Sequence, residues 1–140
     1  MILFPNAKIN VGLTIGEKRS DGYHNLKSLF YPIPLCDILE VLPSEKFTFQ
    51  SSGIALNDKN NLVIEAYELI QNEYKIGNAF IHLHKQIPLG AGLGGGSSDA
   101  VFTLKALNQL FGLNISTEEM LTFALRLGSD CPFFIENQPA

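Results

Sequence analysis

From Pro88 to Ser98 the chain reads Pro88-Leu89-Gly90-Ala91-Gly92-Leu93-Gly94-Gly95-Gly96-Ser97-Ser98, with five glycines in the seven residues 90 to 96. So bare a run is a poor helix or strand interior, because glycine gives up the most backbone entropy there and brings nothing to pack. It suits a loop in which backbone N–H groups turn inward at positive φ and meet a ligand directly, which is an anion nest. Beyond it, Ala100, Leu104, Leu107 and Phe111 share one helical face, predicting a helix from near Ser97 that is closed by Gly112. The partial positive charge at that helix's N-terminus adds to the nest, and Ser97 and Ser98 offer hydroxyls to a phosphate or a metal ion. A flexible Gly/Ser turn is the plain alternative, but turns rarely need five glycines beside a helix start.

Several phosphate loops compete for this pattern. A Walker A loop needs a Lys before its Ser or Thr, and none precedes Ser97. Gly90-x-Gly92-x-x-Gly95 does satisfy the dinucleotide fingerprint between a strand and a helix. That fold, however, wants an acidic residue about 20 positions on at the end of a second parallel strand. Here the corresponding stretch, Asn114 to Glu119, opens another helix through the capping box Ser116-x-x-Glu119. A protein kinase is excluded by the lack of HRD-like and DFG segments.

The rest of the chain reads as α+β. Ile9 to Ile15 and, more loosely, Lys27 to Leu35 alternate at period two around a turn at Arg19-Ser20-Asp21-Gly22. Further strands are expected at 38–42, 47–50 and 79–85, with a loop at Asn57-Asp58-Lys59-Asn60. Leu62, Ala66, Leu69, Ile70 and Tyr74 predict a helix capped by Gly77, a third helix ends at Gly128, and Pro132 to Ile135 looks like a strand. At 140 residues one domain is the default. A net charge of −4 offers no basic field, so nucleic acid is not an expected partner, and no apolar run approaches the roughly 20 residues that span a bilayer. Two widely separated cysteines, Cys36 and Cys131, indicate no disulfide framework, and a cytoplasmic setting is expected.

The Gly-rich run resembles the second motif of the GHMP kinases. With Ala7-Lys8-Ile9-Asn10, Lys18-Arg19-Ser20-Asp21-Gly22-Tyr23-His24 and Gly128-Ser129-Asp130-Cys131-Pro132, the pattern is similar to the branch acting on 4-diphosphocytidyl-2-C-methyl-D-erythritol. The resemblance implies a mixed sheet packed against helices, in the ribosomal protein S5 domain 2-like fold. It also implies an ATP-binding N-terminal domain at 1–140, with a C-terminal domain beyond it. The implied activity is ATP- and Mg2+-dependent phosphorylation of the 2-hydroxyl of that CDP-methylerythritol substrate, in the non-mevalonate supply of isoprenoid precursors. Another GHMP small-molecule kinase and a non-catalytic S5-like module binding RNA or protein stay open as alternatives. Against the second stand the acidic charge and the scattered lysines.

In these roles the resemblance makes Asp130 the base that takes the hydroxyl proton and Lys8 its charge partner, a pairing that phosphoryl transfer can use. The nucleotide falls to Pro88, Leu89, Gly90, Ala91, Gly92, Leu93, Gly94, Gly95, Gly96, Ser97 and Ser98, with Lys85 and Asn61 near the adenine. Tyr23 can stack on a base and His24 can bond its edge, which fits a cytosine-binding segment. Asn10 and Phe30 complete the substrate side, although Phe30 reads equally well as core. Read alone, Asp130 is a turn residue, Lys8 a solvated charge, and Tyr23-His24 part of an ordinary hairpin. His82 and His84, at i and i+2, lack a third ligand and read as a half-exposed sheet face rather than a metal site. Both cysteines, Leu29-Phe30-Tyr31 and Phe47-x-Phe49 read as buried apolar positions.

Overall fold

The computed structural model describes residues 1–56 and 61–140, without the side chains of Leu13 and Leu26. The expected loop at Asn57 to Asn60 lies outside the described residues. The order is β1 (Ile2–Leu3), β2 (Asn6–Lys18), β3 (His24–Cys36), β4 (Ile38–Ser44), β5 (Thr48–Gly53), α1 (Leu62–Tyr74), β6 (Asn78–Lys85), α2 (Gly95–Leu110), α3 (Thr117–Leu127) and α4 (Phe133–Glu136). This is the α+β arrangement with a mixed sheet that the sequence leads one to expect.

The larger sheet runs β1-β4-β6-β5, with β4 antiparallel and β5 parallel to β6. Along β6 the alternation of Ala79, Ile81 and Leu83 with Phe80, His82 and His84 puts the first set into the core. They meet Leu39 and Val41 of β4, Val63, Ala66 and Ile70 of α1, and Ala100, Leu104 and Leu107 of α2 in one buried cluster. His82 and His84 stay half-exposed on the opposite face, each within hydrogen-bond distance of the Ser52 hydroxyl. The second sheet is the long β2–β3 hairpin, antiparallel, with bulges that include one between Val11 and Thr14, where Gly12 sits at φ 65°.

Local signals account for most boundaries. Asn61 caps α1 by accepting from the Val63 and Ile64 amides, and Ser116 caps α3 by accepting from Glu119. Some expectations require correction. The α1 cap is Lys75 in the left-handed region at φ 52°, ahead of Gly77, with its amide bonded to the Gln71 carbonyl. Helix α2 begins at Gly95, so two glycines of the loop already form its first turn. The strand-like Pro132 to Ile135 is helical: Pro132 at φ −55° and ψ −33° starts a turn, and Phe133-Phe134-Ile135 is too short an apolar run to declare a period. Leu29 and Tyr31 are exposed and Cys36 is half-exposed, because the hairpin has one face off the main core, whereas Phe47 and Phe49 do pack against it.

Candidate active site

The Gly-rich loop joins β6 to α2. Gly90, Gly92 and Gly94 take φ values of 66°, 74° and 69°, the left-handed conformation that glycine adopts without strain. A Cβ at 90 or 92 would meet nothing within 4 Å, so the inner surface of this loop is open backbone. Gly94 is the N-cap of α2 and offers no side-chain cap bond, which leaves the helix's first amides for a ligand. Pro88, Leu89, Ala91 and Gly96 are exposed around it, Leu93 less so, and Ser97 follows in the first turn. Ser98 is fully buried, and its Oγ has no partner among the described residues.

The loop is tied directly to β2, since the Lys8 amide donates to the Leu93 carbonyl at 2.8 Å. The Lys8 side chain, 3% exposed as a residue, runs beneath Gly94, whose Cβ would lie 3.1 Å from its Cγ and Cε. Its ammonium donates to Asn10 Oδ1 at 2.8 Å, lies 3.6 Å from Asp130 Oδ2, and sits 4.4 Å from the centroid of the Phe30 ring. Phe30 is held edge-on to Phe133 of α4 at 5.4 Å. Asp130 stands in the turn between α3 and α4, where the Cys131 amide bonds back to the Gly128 carbonyl, and its carboxylate keeps contact with solvent. Burial pushes the neighbouring Cys131 thiol up, so it remains a small apolar filler.

A cleft opens on the other side of the loop, walled by Leu56, Leu62, Val63, Leu83 and Leu89, with Asn61, Lys85, Gly96 and Asp99 as its remaining lining. Asn61 spends its Oδ1 on capping α1, and its buried Nδ2 has no partner among the described residues. An apolar slot with an unspent buried donor suits a flat heteroaromatic ring that carries acceptors.

Lys85 differs from a plain ring contact. Its ammonium is buried between Asp37 Oδ2 at 2.5 Å and Asp99 Oδ2 at 2.9 Å. Burial alone pushes the Asp37 carboxyl up, but hydrogen bonds with Asp99, Lys85 and the amides of Ile87 and Gln86 outweigh it and hold the group below its ordinary value. Asp99 goes the other way. Burial raises it far above the carboxylate range, the Lys85 charge opposes this, and the adjacent Asp37 raises it further. Of the two acids, Asp99 is thus the one shifted toward its protonated form. Sequence reasoning missed both acids: Asp37 stands alone between two strands, and Asp99 hides one residue beyond the two serines.

Tyr23 and His24 lie at the hairpin tip, exposed, with the Tyr23 amide donating to Asp21. From His24 to Phe30 the strand covers about 20 Å, so the structure of these residues does not bring Tyr23 and His24 to the Lys8–Asp130 cluster.

Residues 61–138 match the family model for the GHMP kinases N terminal domain. The chain is 54% identical over 141 residues to a 4-diphosphocytidyl-2-C-methyl-D-erythritol kinase of Azobacteroides pseudotrichonymphae, covering 99% of this chain and 53% of that protein. It is 53% identical to the protein of the same name from Cytophaga hutchinsonii, covering 98% of the chain and 52% of the relative. A crystal structure of 4-(cytidine 5'-diphospho)-2C-methyl-D-erythritol kinase superposes with a TM-score of 0.88 at 38% identity, over all of this chain and 50% of that one. The phosphomevalonate kinase of Streptococcus pneumoniae, at TM-score 0.71 and 16% identity over 99% of this chain and 46% of that one, shares the fold. The chain thus spans about half the length of the curated relatives it matches.

Proposed function

The chain belongs to the GHMP kinases, and on that premise we propose that it is the ATP-binding half of a 4-diphosphocytidyl-2-C-methyl-D-erythritol kinase. The whole protein transfers the γ-phosphoryl group of ATP to the substrate's 2-hydroxyl, in the cytoplasm, as a step of the non-mevalonate route to isoprenoid precursors. No described helix is long and apolar enough to cross a membrane. A C-terminal domain closes over the substrate in the full-length enzyme.

The observation that carries this reading is the position of Lys8, bonded through its backbone to the Gly-rich loop and paired through its ammonium with Asp130. Phosphoryl transfer asks a protein chiefly to align donor and acceptor and to neutralise charge. The loop glycines and the α2 N-terminus hold the triphosphate, the cleft around Asn61 and Lys85 takes the adenine, and the unpartnered Ser98 hydroxyl is a fitting group for Mg2+ or phosphate. Mg2+, when bound, supplies further neutralisation of the phosphate oxygens. On the acceptor side, Asp130 accepts the hydroxyl proton while the Lys8 ammonium offers positive charge where the alkoxide develops. Asn10 and the Phe30 ring fix the lysine, and Tyr23 and His24 supply the cytidine contacts from the hairpin tip.

The test is to assay the full-length enzyme with ATP, Mg2+ and CDP-methylerythritol, then to repeat with Asp130→Asn and Lys8→Met. Loss of the general base should lower kcat by about 10²–10⁴-fold with a smaller change in the KM for ATP. An Asp130→Asn enzyme as fast as the parent, or a parent that forms no phosphorylated product, would refute the assignment.

A further inference from the structure

Strand β3 pairs with β2 on one side, and among the described residues its other edge is occupied at a single point. There the Phe30 amide donates to the Ala140 carbonyl at 2.8 Å, and the Ala140 amide donates to the Phe30 carbonyl at 3.1 Å. When two residues exchange both of their bonds the strands are antiparallel, because a parallel ladder shares them between two different neighbours. We propose that the polypeptide following Ala140 in the full-length protein continues antiparallel along this edge toward His24, making the hairpin a three-stranded sheet.

Three further features of the edge support this. Backbone groups alternate sides along a strand, so Ser28, Leu26 and His24 present their N–H and C=O on the same side as Phe30. The stretch from His24 to Phe30 contains no proline, whereas Pro32, the next residue facing outward, has no N–H to donate. Pairing is therefore open only in the direction of His24. Finally, the chain is aimed from the base of the hairpin by two side-chain amide bonds, Asn6 Nδ2 to Asn137 Oδ1 at 3.1 Å and Asn137 Nδ2 to Asn6 Oδ1 at 2.6 Å.

The relatives, of which this chain spans about half, carry ample sequence to supply such a strand. An edge left with free donors and acceptors invites association with other chains, and an intramolecular strand removes that hazard. The Phe30–Ala140 register places position 141 opposite Leu29 and position 142 opposite Ser28, and it delivers the chain to the hairpin tip beside the exposed Tyr23. This inference concerns the architecture and stands independently of the catalytic reading.

Hydrogen exchange on the full-length protein tests it without mutation. The Ser28, His24 and Phe30 amides should all exchange roughly 100-fold or more slowly than free amides. A second test uses full-length protein carrying Cys36→Ser and Cys131→Ala. Leu29→Cys and a cysteine introduced at position 141 form a non-hydrogen-bonded antiparallel pair with Cα atoms about 4.5 Å apart, within disulfide reach. Mild oxidation should close that pair, identified as a cross-linked peptide by mass spectrometry, and leave Leu29→Cys with a cysteine at position 144 reduced. A Ser28 amide exchanging at the free rate, or an offset pair that closes as fast as the in-register one, would overturn the proposal.

Discussion

Replacing Lys85 by Met keeps the volume of the side chain and removes the cation that Asp37 and Asp99 share. All three residues are at most 2% exposed, so water cannot take the place of the ammonium. The charge left uncompensated is then chiefly that of Asp37, the acid held below its ordinary value, which retains its bond with Asp99 and the amides of Gln86 and Ile87 at 2.6 and 2.8 Å. Breaking a buried pair by removing one partner costs about 3–5 kcal/mol. At about 2.1 cal/mol/K of unfolding entropy per residue, the 140 residues give roughly 0.3 kcal/mol/K, so Tm should fall by about 10–17 °C. Thermal unfolding followed by circular dichroism at neutral pH reads this directly. Lys85→Met combined with Asp37→Asn leaves no unpaired charge and should recover a large part of the loss. A shift below about 3 °C, or a double variant no better than the single one, would show that the lysine is not what holds the two acids in the interior.

A carboxyl whose folded pKa is raised supports the fold below its unfolded value and withdraws that support as pH climbs to the folded one, so the parent should lose urea stability from about pH 4 upward through the Asp99 titration. Asp99→Asn, an amide in place of a protonated acid, should remove that loss; an unchanged pH profile counts against a protonated Asp99. Gly95→Ala would normally strengthen a helix, but the new Cβ would lie 2.8 Å from Lys85 Nζ and 2.9 Å from Ile87 Cγ2, so a destabilisation of about 1–3 kcal/mol is expected in denaturant titrations. The Tyr74 hydroxyl donates to Glu119 at 2.5 Å; chiefly through this bond, then burial and the charges of Glu119 and Glu73, its pKa is pushed up to about 12. Whatever stability this bond contributes is present below about pH 10 and is lost toward 12, and Glu119→Gln should move the tyrosinate transition most of the way back toward its ordinary value in an absorbance titration, with burial and Glu73 keeping a remainder.

How much of this could be read from the sequence depended on the kind of signal. The Gly-rich loop was visible in composition alone, since glycines at 90, 92 and 94 to 96 before a helical period suit neither a helix interior nor a strand. The hairpin, the helix cap at Ser116 and the buried face of β6 follow from local chemistry or alternation, and all are found, whereas the cap that Asn61 makes on α1 emerges only in the structure. Lys8 and Asp130 were legible only through resemblance to a family, because a lysine in a strand and an acid after a glycine are ordinary by themselves; in the structure they lie 3.6 Å apart. The Asp37–Lys85–Asp99 cluster was not legible. Its members are 48 and 14 residues apart, and a charged residue carries no local mark that it will be buried. Residues 132–135 misled for a different reason: four residues of Pro-Phe-Phe-Ile satisfy a strand and a helical turn equally, and the packing of Phe134 beside Val101 and Ala124 decides.

Gly94 has a consequence beyond its backbone angle. A single methyl group there would press on Lys8 and, at 3.1 Å, on the Phe134 ring at once, so the loop to which we assign the triphosphate and the lysine we assign to the acceptor rest against the same atom. Their spacing is built in before any ligand arrives, like the fixed jaw of a gauge. On the roles we propose, two reactants would be measured against that gap, and one too long or too short to bridge it would be held without being joined.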